Sequence, residues 1–285
     1  MESIAEVQLI KKENYTMKVY VDLFNKRIRV DDLYGDISQG MAKAEEMAKE
    51  LQVEKLILKG RREQFPLLIM YGYSCEAMID RYFLGSDMFF FCKYYTTERR
   101  TSVHWLKEDS ITENVMKLEQ YLKSVKPPQE YILKKLSSDD AETLAALYQE
   151  VFQIYPTPLN DPNYIIETMK EGTIYYGFLF NGKIVSAASA EVNDFYKNAE
   201  LTDCATLPQH RKHGLMKILL EKLEIELKAN GVYCAYSIAR ALSFGMNAAL
   251  HQLGYCYRGR LTNNCYIFDK LEDMNVWVKD LSLNR

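Results

Sequence analysis

The chain has no apolar run approaching the roughly 20 residues that a membrane-spanning helix needs, so no membrane span is expected. Its opening residues, Met1-Glu-Ser-Ile-Ala-Glu-Val, carry acids where a secretory leader carries basic residues, and the expected location is the cytoplasm. Excess positive charge is missing too. A net charge of −3 argues against nucleic acid or an anionic membrane as the main partner. The six cysteines, at positions 75, 92, 204, 234, 256 and 265, form no Cys-x-x-Cys pair, and the four histidines are not spaced with them as zinc ligands. No metal is expected, and the thiols are read as reduced, small hydrophobic groups. The Gly-x-Gly-x-x-Gly turn of dinucleotide folds and the Gly-Lys-Ser/Thr loop of nucleotide triphosphate sites are absent, which sets those cofactor classes aside.

What is present is enough apolar material, 48% of 285 residues, for one large or two ordinary domains. The paired prolines Pro127 and Pro128, after a polar helix expected at about 112–123, mark the best boundary, giving an upstream domain 1–125 and a downstream domain 126–285. Downstream the pattern predicts a strand (130–136), a helix (139–152) opened by Ser137 or Ser138, a short helix near 162–170, and two strands joined by Asn181-Gly182. Upstream, a helix at 39–51, a strand at 55–59, a helix at about 63–71 and two strands recur in the downstream order, a pseudo-repeat with slight residue identity.

The most informative segment is Pro208-Gln-His-Arg211-Lys212-His213-Gly214-Leu215-Met216, entered from a strand at 199–207 and followed by a helix with Leu215, Leu219, Leu223 and Leu227 in one row. A helix start has unpartnered N–H groups and a partial positive charge, so a basic turn there suits a pyrophosphate. A merely solvated basic turn is the competing reading. The matching upstream turn, Asp31-Asp32-Leu-Tyr-Gly-Asp36, would repel a pyrophosphate, so that half is expected to wall a substrate cleft or shield a sheet edge instead.

Over about 130–270 the element order resembles the GCN5-related N-acetyltransferase (GNAT) superfamily, whose Arg/Gln-x-x-Gly-x-Gly/Ala signature is matched by Arg211-Lys-His-Gly214-Leu-Met216, with methionine where the family has a small residue. A narrower likeness, to β-lysine N-acetyltransferases, spans nearly the whole chain. It rests on Val151-Phe-Gln-Ile-Tyr-Pro-Thr-Pro158, Ala188-Ser-Ala-Glu191, Asn198-Ala-Glu-Leu-Thr-Asp203, Ala205-Thr-Leu-Pro208, Ile238-Ala-Arg-Ala241, Gly245-Met-Asn247 and Met274-Asn-Val-Trp277. The resemblance implies an α/β (α+β) GNAT fold, with a mixed, mostly antiparallel sheet and helices on both faces, preceded by a degenerate half-GNAT-like domain without a cofactor site. It also implies acetyl-CoA as donor, the ε-amine of β-lysine as acceptor, and an osmolyte product.

Acetyl transfer to an amine needs a proton acceptor, donors for the oxyanion and a proton for the departing thiolate. The resemblance assigns the main chain of Cys204, Ala205 and Thr206 to the oxyanion and pantetheine, Arg211 to Met216 (Lys212, His213, Gly214 and Leu215 included) to the pyrophosphate, and Asn247 to the pantetheine or the neighbouring strand. Glu200 and Asp203 are the candidate bases, sharing a face only if a β-bulge separates them; for each the competing reading is a solvated or salt-bridged acid. Glu191 is a third acid. Arg240 is expected to fork onto the substrate carboxylate, Glu191 or Glu200 to hold its fixed ammonium, and Tyr155 to close the pocket or simply pack. The tyrosine that often protonates the thiolate in this family is Leu250 here. His251 faces about 100° away; Tyr236 is the substitute, against ordinary core packing or water in its place. Other small amines (a polyamine or an aminoglycoside) and a non-catalytic acyl-CoA sensor stay open as alternatives, as does a homodimer.

Overall fold

In the computed structural model, which describes residues 5–120, 126–152, 157–267 and 270–282, the first half of the chain forms β1 (Ala5–Lys11), β2 (Tyr15–Asp22), β3 (Arg27–Gly35), α1 (Ile37–Glu50), β4 (Lys55–Arg61), α2 (Phe65–Met70), β5 (Ser74–Phe83), β6 (Ser86–Tyr94), α3 (Thr97–Arg100) and α4 (Trp105–Met116). The second half forms β7 (Ile132–Lys135), α5 (Ala141–Val151), α6 (Pro162–Lys170), β8 (Ile174–Phe180), β9 (Lys183–Asn193), β10 (Asn198–Thr206), α7 (Leu215–Ala229), β11 (Cys234–Arg240), α8 (Phe244–Gln252), β12 (Cys256–Ile267) and β13 (Lys270–Asp280).

Local chemistry accounts for many of these boundaries. Asn181 and Gly182 both take positive φ, 49° and 77°, as a tight two-residue hairpin between β8 and β9 demands. In β2 every second residue faces inward: Met17 and Val19 are fully buried and Val21 nearly so. The leucine row of α7 is buried along its whole length, and Gly231, at φ 72°, stops that helix. One expected helix lies elsewhere. It spans Trp105–Met116, beginning upstream of Thr112, because the Thr112 hydroxyl donates to the Glu108 carbonyl (2.9 Å) and so sits inside the helix without breaking it. Residues 121–123 of that expectation lie outside the described residues.

All the strands join one 13-stranded sheet in the order β1-β2-β3-β4-β6-β5-β12-β13-β11-β10-β9-β8-β7. Among the described residues only β3/β4 and β10/β11 are parallel, each connected through a helix, α1 and α7. Outward from the β5/β12 junction the halves run in corresponding order, β5-β6-β4-β3-β2-β1 and β12-β13-β11-β10-β9-β8, with β7 an additional edge strand on the second. The sheet curls so that one face of each half meets the other: Ile57, Phe90 and Cys92 from the first half share a core with Tyr236, Val276 and Val278 from the second. Across this junction Asn198 Nδ2 donates to the Tyr82 carbonyl (2.8 Å), and the Tyr82 and Tyr236 rings lie 5.8 Å apart. Helix α4 also crosses over, burying Val115 in the core of the second half, while Arg260 Nη1 donates to Asp109 (2.8 Å).

Among the described residues the ladder between β5 and β12 consists of Gly259 opposite Ala77. Gly259 has φ 124°, and a Cβ there would stand 2.3 Å from the Glu76 carbonyl oxygen. Only glycine permits both the conformation and the approach. Gly259→Ala is expected to cost on the order of 2 kcal/mol and lower the melting temperature by several degrees. Gly245→Ala, where a Cβ would meet nothing within 4 Å, is the control expected to melt near the wild type. Equal melting of the two variants would refute a tight junction.

Candidate active site

β10 and β11 pair over three residues, Asn198 to Glu200 against Cys234 to Tyr236, and then part. On its other side β10 stays paired with β9 as far as Thr206. Beyond Glu200 one edge of β10 therefore lines an open wedge, with backbone groups directed into it. Glu200 stands at the vertex. It is opposite Tyr236 on β11 and Glu191 on β9, so all three share the sheet face that looks toward the first half of the chain. The register slips between Thr202 and Ala205, where Asp203 takes φ 51° and accepts a hydrogen bond from Ser189 Oγ (2.7 Å). This bulge brings Asp203 to the side of Ser189 despite its odd separation from Glu200.

The electrostatics of the vertex are unusual for carboxyl groups. Burial, and then the charge of Glu191, push the Glu200 carboxyl up to about 7, while Lys59, Arg29 and the adjacent Tyr236 hydroxyl act in the opposite sense. Burial likewise raises Glu191, against Arg29 and Lys59. Glu191 nevertheless remains solvent-accessible. Tyr236 is buried, and burial followed by the Glu200 charge raises its hydroxyl well above the usual range, which makes it a poor proton donor and a neutral neighbour of the carboxylate.

The residues of the opposing wall were not anticipated from the sequence, although the first half was expected to wall a cleft or shield a sheet edge. They are Arg29 and Asp31 on β3 and Lys59 on β4. Arg29 donates to Asp31 through Nε (2.6 Å) and Nη2 (3.2 Å), and Lys59 Nζ contacts the same carboxylate at 2.9 Å. These two cations hold Asp31 well below the usual carboxylate range, against its burial. The i, i+2 spacing of Arg29 and Asp31 on a strand was the one available signal, since it places both on the same face. Asp31 and Asp32 belong to β3 and not to the turn before α1, so the expected acidic turn reduces to Asp36 at the helix start.

At the start of α7 the cap is Gly214, at φ 71°, with no capping side chain. Lys212 also has positive φ, 73°, and Arg211, Lys212 and His213 are exposed. Arg211 Nε donates to the Thr206 carbonyl (3.1 Å), tying the basic turn to the end of the wedge strand. The contrast with α1 is direct: there Asp36 caps the helix and accepts from the Gln39 N–H (3.0 Å). An anion therefore meets open donors at α7 and a carboxylate at α1. Leu215 is buried in the core, so only its main chain faces the turn, and Met216 is half-buried.

Two expected side chains, Asn247 and Arg240, are differently engaged. Asn247 is fully buried, donating to the Arg240 and Ser243 carbonyls (2.9 and 2.7 Å) and accepting from Asn275 and Trp277 (2.9 and 2.7 Å). Its hydrogen-bonding capacity is spent on fixing the end of β11, which corrects the expected contact with pantetheine and keeps the one with the strand. Arg240 forks onto Glu272 at 2.6 and 2.5 Å and so is already neutralised. Burial raises the Cys204 thiol, so a thiolate is disfavoured there. Ala205 is buried, and the Thr206 hydroxyl meets Ser186 Oγ (2.8 Å). His251 contacts the Leu118 carbonyl (3.0 Å), away from the wedge. Tyr155 lies outside the described residues. Among the described residues no group of three or more His, Cys, Asp or Glu side chains is placed to hold a metal.

Residues 141–255, which include the wedge and the uncapped helix, match the acetyltransferase (GNAT) family. The chain is 39% identical to the N-acetyltransferase YodP of Bacillus subtilis (strain 168) over 95% of its own length and 98% of that protein. It is 39% identical to a β-lysine N(6)-acetyltransferase of Methanosarcina mazei, covering 74% of this chain and 85% of that one. It is 34% identical to a β-lysine N(6)-acetyltransferase of Methanococcus maripaludis, covering 92% and 95% respectively. With a strand wedge, an uncapped helix start and relatives matched along almost their entire length, the chain belongs to the acetyltransferase (GNAT) family and is an N-acetyltransferase.

Proposed function

We propose that the enzyme transfers the acetyl group of acetyl-CoA to the ε-amine of a small cationic amino acid, β-lysine, giving Nε-acetyl-β-lysine of the kind cells accumulate as an osmolyte. The observation that carries this reading is Glu200: a carboxyl raised to about 7 at the vertex of a strand wedge, beside a second acid and opposite two cations. An alkylammonium has a pKa near ~10.4 and is unreactive until it loses a proton. A carboxylate whose own pKa lies near the working pH is suited to accept it. In this reading the open edge of β10 at Cys204 to Thr206 supplies main-chain donors for the oxyanion. The uncapped amides of α7, with Lys212 and Arg211 beside them, hold the diphosphate of the donor. The names carried by two of the relatives favour β-lysine as acceptor.

Mass spectrometry after incubation with acetyl-CoA and β-lysine, α-lysine and spermidine is expected to show monoacetylated β-lysine in greatest yield; preferential acetylation of the polyamine would replace the acceptor. Because Glu200 must be ionised to accept a proton, kcat/KM is expected to rise with pH through about 7. Glu200→Gln should lower it by about 10²–10⁴-fold and abolish that limb. A limb that persists in the variant would place the base elsewhere. Gly214→Asp, which copies the carboxylate cap of α1, is expected to weaken acetyl-CoA binding by more than about tenfold in calorimetry. Unchanged affinity would remove the α7 start from the donor site.

A further inference from the structure

We propose that Arg29, held by Asp31 and reinforced by Lys59, binds the carboxylate of the acceptor amino acid, so that the first half of the chain supplies the group that selects an amino acid over a simple amine. This deepens the reading above and rests on the acceptor being a diamino acid.

A guanidinium offers five N–H donors arranged along more than one edge. Asp31 occupies one edge of Arg29, through Nε and Nη2. Among the described residues Nη1 has no hydrogen-bond partner, and the end of the fork, Nη1 with the remaining Nη2 hydrogen, is the geometry that receives a carboxylate bidentately. The group is also fixed in place. Its guanidinium carbon lies over the Tyr20 ring, 4.9 Å from the centroid, and Asp31 holds one edge. It is reachable as well, since 29% of the side chain is exposed, against 10% for Lys59.

The charge on this wall favours an incoming anion. Lys59 contacts Asp31 and also donates to the Tyr82 hydroxyl (3.1 Å), so Asp31 serves two cations at once. Two cations against one anion leave one unit of positive charge on this wall. The facing wall carries Glu191 and Glu200, and both are close enough for Arg29 and Lys59 to lower their pKa values. The cleft is thus polarised, acids on the second half and net cation on the first. A diamino acid presents the complementary pattern: Glu200 meets the reacting amine, Glu191 the fixed ammonium, and Arg29 the carboxylate. A polyamine brings no anion and would leave the cationic wall uncompensated. Arg240, the residue expected for this task, is held along the same edge by Glu272, but among the described residues no second cation shares that carboxylate, so the pair carries no excess positive charge.

The test compares steady-state kinetics of the full-length enzyme on β-lysine and on its carboxamide, which keeps both amines and nearly the same shape but loses the negative charge. Wild type is expected to prefer the acid by at least about tenfold in kcat/KM. In Arg29→Gln that ratio should fall to about one, the loss appearing in KM for the acid and not in kcat, and Arg29→Lys should restore part of it. Should Arg29→Gln fail to fold, Lys59→Met, which leaves the Arg29–Asp31 pair neutral, is expected to reduce the same ratio. A soluble variant of either residue that keeps the wild-type preference overturns the proposal while the β-lysine reading stands. A wild type that acetylates polyamines and neither β-lysine nor its carboxamide overturns that reading, and this one with it.

Discussion

The parting of β10 from β11 directly after Glu200 and Tyr236 is the constraint on which the site depends. A strand inside a sheet has its backbone groups consumed on both sides; one that loses a neighbour partway keeps donors and acceptors free at a defined place. The structure holds the wedge open from both flanks. Asn247 fixes the end of β11 through the Arg240 carbonyl, and Arg211 fixes the end of β10 through the Thr206 carbonyl. The residue at the vertex is consequently enclosed by three strands and poorly hydrated. That is why its carboxyl titrates near neutrality, while an acid on the exposed β9–β10 connection such as Asp194 sits in a surface ion pair with Lys197.

The two halves share a topology and differ in what they do with it. Each contains a parallel strand pair bridged by a helix, yet one helix start carries a carboxylate cap and the other a bare glycine in the left-handed region. The corresponding strands differ in the same way. Where β10 presents an acid to the cleft, β3 presents an arginine–aspartate pair, and β4 adds a lysine. Arg29 and Lys59 on one wall act electrostatically on Glu191 and Glu200 on the other, at a strength that bulk water would reduce severalfold.

Features governed by neighbours in sequence were legible before the structure. The leucine row of α7, the Asn181-Gly182 hairpin and the short helix at Pro162–Lys170 depend on local periodicity or turn chemistry, and each lies where the pattern places it. The acetyltransferase family itself was readable from several separated motifs in one order. What escaped are contacts made by the fold between distant segments. Nothing beside Arg240 in sequence announces Glu272, which arrives on β13 to neutralise it. Arg29 and Lys59 read as ordinary alternating strand residues until the sheet curls and sets them opposite Glu200. Helix α4 begins upstream of the expected 112–123, with Thr112 satisfying its hydroxyl inside the helix on the Glu108 carbonyl.

Helix α4 has a consequence for how the chain matures. It precedes the paired prolines, yet Val115 is fully buried among residues that follow them, and Asp109 and Glu108 meet Arg260 on β12. During synthesis the leading segment emerges from the ribosome with this helix lacking its landing surface, which is translated later. Final docking therefore waits for nearly the whole polypeptide, and a proteolytic cut at the prolines would release two fragments that each lack part of the other's interior.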